Sequence, residues 1–146
     1  MSDSSKRTKR NLEALEGDLA SNRLHHALLL QGKNLSALEK GAIHLSRKIL
    51  GTAESNEEHP DLFHLRPSGK ARLITVESTR ELISDLNRSA SQGENKVALL
   101  HEVDRMRREA ANAFLKTLEE PPHGTFILMV TTRPYSLLPT IRSRCL

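Results

Sequence analysis

The sequence predicts an α/β layer fold with a mainly parallel central sheet. Apolar runs of strand type alternate, roughly four times, with segments whose apolar residues recur at helical spacing. The run TFILMVTT (125–132) is apolar on successive residues, as expected of a strand covered by helices on both faces. In such sheets the loops at the carboxyl ends of the strands carry the sites. Here those loops are 31–36, 65–74, 101–106 and 131–140.

The elements follow one another along the chain. Residues 1–10 are polar and are expected to be frayed, and Leu12, Leu15 and Leu19 then predict a helix over 11–21. Pro121 ends the last long helix, because a residue before proline avoids helical geometry. Strands are predicted at 27–31, 61–66, 96–102 and 125–132, and the remaining helices at 35–50, 76–89 and 105–119. A short connection (136–143) leads to RCL (144–146), which is compatible with the start of a further strand.

Composition excludes several classes of protein. The 146 residues carry 22 Lys and Arg against 18 Asp and Glu, a mildly basic balance that permits a phosphate-rich partner without demanding one. No apolar run reaches the roughly 18 residues of a membrane helix, and no apolar segment follows the basic N-terminus as in a signal peptide. The single cysteine, Cys145, excludes an internal disulfide and a multi-cysteine zinc site. We expect a cytoplasmic protein.

The segment QGKNLSALEKGA (31–42) looks almost like a phosphate-binding loop. A P-loop reads G-x-x-x-x-G-K-[ST], in which the lysine reaches phosphate and the hydroxyl holds magnesium. With Gly32 first, the second glycine position holds Ala37, the lysine position Leu38 and the hydroxyl position Glu39. A carboxylate about 4 Å from a phosphate charge costs roughly 4 kcal/mol at an effective dielectric near 20. We therefore predict a degenerate P-loop and no nucleotide cofactor.

The strand VALLHE (97–102) stands where a Walker B strand would end in Asp-Glu. Those two positions hold His101 and Glu102, so the motif is also degenerate. The run HEVDR is not a zinc motif, because H-E-x-x-H needs histidine where Arg105 stands. The other histidines show no ligand spacing, and no metal site is predicted.

The C-terminal run TIRSRC places two arginines beside a serine and a cysteine. Together with AANAFLKTLEEPP (110–122), the run LLPTIRSRC (137–145) resembles the AAA+ clamp-loader subunits of bacterial DNA polymerase III. RLHHALLLQG, HPDLFHL and ITVESTRELISDL also match in the expected order, so the resemblance covers about residues 12–146. It implies a P-loop-like three-layer fold, with a mainly parallel central sheet flanked by helices.

That family contains ATP-hydrolysing motor subunits and a non-hydrolysing stator, the delta-prime subunit. The broken P-loop makes this chain resemble the stator. The resemblance assigns Ser143, Arg144 and Cys145 to the SRC motif, whose arginine reaches ATP bound by a neighbouring subunit. A trans arginine of this kind is worth about 10³–10⁵ in rate. The resemblance places Thr131 and Thr132 in the sensor-1 region, where we expect a structural role.

The resemblance also implies partners and a domain arrangement. The partners are the tau/gamma-type ATPase and delta subunits in a hetero-oligomer, and, through the assembly, the sliding clamp and primer-template DNA. Residues 1–146 would form the N-terminal domain of a longer chain, with the lid and collar domains outside it. The family's four-cysteine zinc module has no counterpart in GTAESNEEHP (51–60), so this module is expected to be lost.

Two other functions remain open on the sequence alone. A divergent AAA+ ATPase with its own nucleotide site would need Lys33 or Lys40 to contact phosphate. A plain DNA-binding module would show a steep dependence of affinity on salt without partners, and the scattered charge argues against it.

Overall fold

A computed structural model describes residues 3–52, 58–91 and 93–146, with side chains described from residue 11 onward. The helices are α1 Asp3–Ala20, α2 Leu35–Leu50, α3 Val76–Leu86, α4 Arg108–Glu119 and α5 Pro139–Arg142. The strands are β1 Ala27–Gln31, β2 Leu62–Leu65, β3 Lys96–Leu100 and β4 Thr125–Thr131. Short 3-10 turns lie at Val103–Arg105 and Pro134–Ser136.

The four strands form one parallel sheet in the order β1-β4-β3-β2. Leu128 of β4 lies in register between Leu28 of β1 and Leu99 of β3. Because all strands run the same way, the loops that follow them meet at one edge of the sheet. At the free side of β1, the Leu146 N–H donates to the Ala27 carbonyl (3.1 Å) and the Leu29 N–H donates to the Leu146 carbonyl (2.6 Å). These two bonds follow the pattern of a parallel strand pair.

Helices cover both faces of the sheet, and the predicted three-layer α/β fold is confirmed. One core lies between the sheet and α1 and α2, and includes Leu28, Leu45, Ile49, Leu99 and Leu128. The other lies between the sheet and α3, α4 and α5, and includes Leu86, Phe114, Leu118, Ile127 and Ile141. Strand β3 is buried along its whole length, since both of its faces are covered.

Three predicted helix boundaries differ from the structure. Helix α1 begins at Asp3, well inside the segment expected to be frayed. Helix α3 ends at Leu86 rather than at 89, because the buried Lys96 ammonium donates to the Leu86 and Arg88 carbonyls. Helix α4 begins at Arg108 rather than at 105.

The late start of α4 has a clear cause. The Ile74 N–H donates to the Arg105 carbonyl at 3.1 Å, and Met106 is extended and forms a parallel bridge with Ile74. Met106 is buried, as its apolar pattern predicted. It lies in the extended segment before α4, however, and not in the helix itself. An apolar period marks which residues are buried, and it cannot distinguish a first helical turn from an extended residue that points the same way.

Within the described parts of the chain, no helix combines the length and the apolar character needed to cross a bilayer.

Candidate functional site

The connection between β1 and α2 is shorter than a phosphate-binding loop. Strand β1 ends at Gln31 and α2 begins at Leu35, so only Gly32, Lys33 and Asn34 lie between them. The Asn34 side-chain oxygen accepts the Ala37 N–H at 3.1 Å and caps the helix. Positions 35–37, which would belong to a phosphate cradle in the P-loop pattern, are therefore helical here.

The Leu38 side chain packs against the same connection. A Cβ atom built on Gly32 would lie 3.4 Å from Cδ2 of Leu38, so the leucine side chain lies directly over the glycine. Leu38 also lines a cavity of about 190 Å³ with Leu12, Leu15 and Leu30. The lysine position of the P-loop pattern thus holds a side chain that packs in an apolar layer, as its place on the apolar helix face predicted.

Glu39 contacts His101, which stands at the Asp position of the Walker B pattern. Its Oε2 atom is hydrogen-bonded to Nδ1 of His101, which is buried with 2% of its surface exposed. The Nε2 atom of His101 lies 2.9 Å from Nδ1 of His64 on β2. The residue in the hydroxyl position of the P-loop pattern and the residue in the Asp position of Walker B therefore bind each other directly.

The hydrogen bonds that join Glu39, His101 and His64 indicate which ring nitrogens carry protons. Burial lowers the pKa of His101 below its ordinary value of 6.5, and the positive charge of Arg66 acts in the same direction, whereas Glu39 opposes it. His101 is accordingly neutral near pH 7. Its Nδ1–H donates to the Glu39 carboxylate, so its Nε2 accepts a hydrogen bond from the Nδ1–H of His64.

The next residue, Glu102, is also bound within the chain. It has a left-handed backbone (φ 50°), and its carboxylate, with 16% of the side-chain surface exposed, pairs with the Arg72 guanidinium. At the neighbouring strand end the Thr131 hydroxyl donates to Asp104 at 2.6 Å and accepts the Arg133 N–H at 3.0 Å. These contacts agree with the structural role expected of Thr131.

The SRC motif follows α5. Burial raises the pKa of the Cys145 thiol, which packs against the core, so Cys145 anchors the segment as a neutral group. The Arg144 guanidinium donates from Nε to Glu119, and from Nη1 to the Thr140 carbonyl (2.7 Å) and the Ser143 hydroxyl (3.3 Å). Among the described residues, none accepts a hydrogen bond from its Nη2.

The structure brings Glu39 together with His101, and it separates Glu102 from them by turning it toward Arg72. Sequence reasoning missed the partners His64, Arg72 and Glu119. A signal existed for His64, because the ends of adjacent parallel strands meet and HLR (64–66) and HE (101–102) both end strands. No sequence signal joins Glu119 to Arg144.

Metal ligation has no support in the described side chains. No group of three or more His, Cys, Asp or Glu in that part of the chain is arranged to hold a metal ion. Part of the segment expected to have lost a zinc module, 53–57, lies outside the described residues.

Two solved structures define the class of protein. A DNA polymerase III, gamma subunit-related protein from Thermotoga maritima matches with a TM-score of 0.77 and 30% identity, over 92% of this chain and 44% of that one. A RuvB point mutant of Thermotoga maritima matches with a TM-score of 0.62 at 17% identity, over 95% of this chain and 42% of that one. The second likeness concerns the fold alone. The fold is of the AAA+ P-loop-like type, as the sequence predicted.

Sequence comparison gives the family. Residues 7–146 match the family described as DNA polymerase III, delta subunit, and the chain belongs to this family. It is similar to DNA polymerase III subunit delta' of Yersinia pestis, with 37% identity over 90% of this chain and 43% of that protein. It is also similar to subunit tau/gamma of Haemophilus influenzae, with 36% identity over 92% of this chain and 21% of that protein. The predicted delta-prime resemblance is confirmed, and the chain spans less than half the length of these relatives.

Proposed function

We propose that this chain acts within the DNA polymerase III clamp loader as a subunit that hydrolyses no ATP and donates Arg144 to the ATP site of a neighbouring ATPase subunit. Its partners would be tau/gamma-type and delta subunits, and the assembly would load the sliding clamp onto primer-template DNA in replication. Family membership and the relatives named delta' and tau/gamma support the setting of this proposal. The connection between β1 and α2 supports the absence of ATP hydrolysis, and the SRC motif supports the donation of Arg144.

The bond between Glu39 and His101 carries the first half of the proposal. A nucleotide with magnesium would need this bond broken, the helix cap at Asn34 opened and Leu38 moved from the apolar layer. It would also bring phosphate charge toward the Glu39 carboxylate, which is repulsive by several kcal/mol at short range. All of these costs oppose ATP binding, and no lysine in the P-loop position offsets them.

Arg144 carries the second half of the proposal. Its side chain has 30% of its surface exposed, and its Nη2 is left without a hydrogen-bond acceptor among the described residues. Arginine keeps its charge at any physiological pH and has a planar set of N–H donors that suits phosphate oxygens. A partly exposed guanidinium with an unused donor nitrogen can stabilise the charge that develops on a phosphoryl group of a neighbouring chain.

Titration with a fluorescent ATP analogue tests the absence of a nucleotide site. We expect no saturable binding at micromolar concentrations. The alternative, a divergent ATPase, has some support in the comparable identity to the tau/gamma relative. It requires micromolar affinity and ATP turnover by the isolated chain, lost in Lys33→Ala or Lys40→Ala, and that result would replace the first half of the proposal.

Replacement of Arg144 tests the trans role. We expect Arg144→Ala to lower DNA-stimulated ATP turnover at the site that it serves by about tenfold or more, because such arginines are worth at least this much in related phosphoryl transfers. Arg142→Ala is the matched control, since Arg142 is an exposed arginine two residues away and outside the proposed contact. Equal turnover of the Arg144→Ala and wild-type loaders would refute the role.

A further inference from the structure

We propose that Glu119 is a positioning residue that orients the Arg144 guanidinium for its contact with the neighbouring subunit. This inference rests on the proposed trans role of Arg144. It adds a residue from a different helix, which the sequence did not single out and which touches no nucleotide itself.

The geometry shows how the guanidinium is held. Nε donates to Oε1 of Glu119, while Nη1 donates to the Thr140 carbonyl at 2.7 Å and to the Ser143 hydroxyl at 3.3 Å. Two of the three nitrogens are thus fixed by acceptors within the domain. Because the guanidinium is planar, fixing Nε and Nη1 also fixes the direction of the Nη2 donors.

Glu119 is the contact that comes from outside the SRC segment. Thr140 and Ser143 lie within four residues of Arg144 in the sequence, whereas Glu119 is the last residue of α4 and lies 25 residues away. Helices α4 and α5 pack against each other. The Glu119 carboxylate therefore links the Arg144 side chain to α4, which lies outside the SRC segment.

Orientation explains this pair better than stability does. The side chain of Glu119 has 48% of its surface exposed and that of Arg144 30%, and ion pairs with such access to water contribute little to folding. Arginine has many rotamers, and a side chain already held in its bound orientation loses less freedom when it binds. The benefit of the pair then appears when a phosphate arrives.

The neighbouring glutamate provides a matched control. Glu120 lies next to Glu119, carries the same charge and is likewise exposed. Among the described residues, Arg144 pairs with Glu119 and not with Glu120. A change of net charge at this end of α4 affects both positions alike. An effect of orientation arises at Glu119 alone.

The test measures DNA-stimulated ATP turnover of the assembled loader that contains each variant of this subunit. We expect Glu119→Ala to lower turnover by about two- to fivefold, the range that an exposed charge pair supports. Glu119→Gln keeps an oxygen that can accept the Nε–H and should recover most of the loss. Glu120→Ala should match the wild type, and Glu119→Ala should have no further effect in an Arg144→Ala background.

Each outcome has a defined meaning. Unchanged turnover in Glu119→Ala, with Arg144→Ala impaired, overturns the positioning role and leaves the trans role intact. Raised turnover in Glu119→Ala also overturns it, since the carboxylate would then restrain the arginine. An equal loss in Glu119→Ala and Glu120→Ala identifies a general charge effect and likewise refutes positioning. Unimpaired turnover in Arg144→Ala removes the proposed function on which the inference rests.

Discussion

The connection between β1 and α2 and the SRC segment (Ser143–Cys145) differ in what their polar groups bind. At the connection between β1 and α2, Asn34, Glu39 and His101 all bind partners within the chain, and Leu38 lies over Gly32. At the SRC motif, Arg144 is held on one side and leaves Nη2 without an acceptor among the described residues. The difference teaches where each segment can still meet a ligand: the polar groups of the first are used within the chain, whereas a donor of the second is left over, as the proposed function requires.

The first way to test this comparison is to measure how much one substitution in each segment lowers the free energy of unfolding. We expect His101→Ala to lower the free energy of unfolding by about 2–4 kcal/mol, because it leaves a cavity and removes the partners of Glu39 and His64. Arg144→Ala should cost about 1 kcal/mol or less, since its ion pair is partly exposed. Urea unfolding of the two variants and the wild type measures both. Similar losses would show that the two segments are equally structural.

A smaller effect concerns pH. Burial holds the pKa of His101 below 6.5, so the unfolded chain, in which the histidine titrates near its ordinary value, binds more protons as the pH falls below about 6.5. The contribution of neutral His101 is thus complete above this pH and declines below it, until the folded chain also protonates. We expect the wild type to lose more stability than His101→Asn between pH 7.5 and 5, measured by urea unfolding at each pH.

The control in that experiment is the difference between the two proteins, because the other six histidines are common to both. The charged and titratable groups that act on His101 are Glu39, Arg66 and His64. Parallel stability curves for the wild type and His101→Asn would contradict the assignment of a neutral, buried His101.

The smallest expected effect is on ATP binding, where we expect no change. We expect Leu38→Lys combined with Glu39→Thr to restore no ATP binding, although it supplies the lysine and hydroxyl of the P-loop pattern. Residues 35–37 already form the first turn of α2 and the Ala37 N–H is bonded to the Asn34 side chain, so the longer loop that would wrap a phosphate is absent and one of its N–H groups is occupied. Titration with the fluorescent ATP analogue measures this directly. Micromolar binding by the double variant would show that only side chains, and not the backbone, had been lost.

Much of the fold could be predicted because it depends on local pattern. The bounds of β1 and α2 were predicted to the residue, since the apolar run of the strand and the apolar spacing of the helix both lie in the local sequence. The start of α4 could not, because it depends on the contact between Ile74 and Met106, more than thirty residues apart. Aligning a motif was enough to single out the positions Leu38, Glu39 and His101. The binding of Glu39 to His101 could not be predicted, since these two residues meet only through the packing of α2 against the folded sheet.

The bond between Glu39 and His101 has a consequence for how such a domain evolves. Replacing either residue alone by its counterpart in a working ATPase removes a partner from the other and gains no ligand in return. The helix cap at Asn34 and the packing of Leu38 impose further losses of the same kind. Under the proposed function, a return to ATP binding would need several changes, and a first reversion at Glu39 or His101 would cost a hydrogen bond before it gained a ligand.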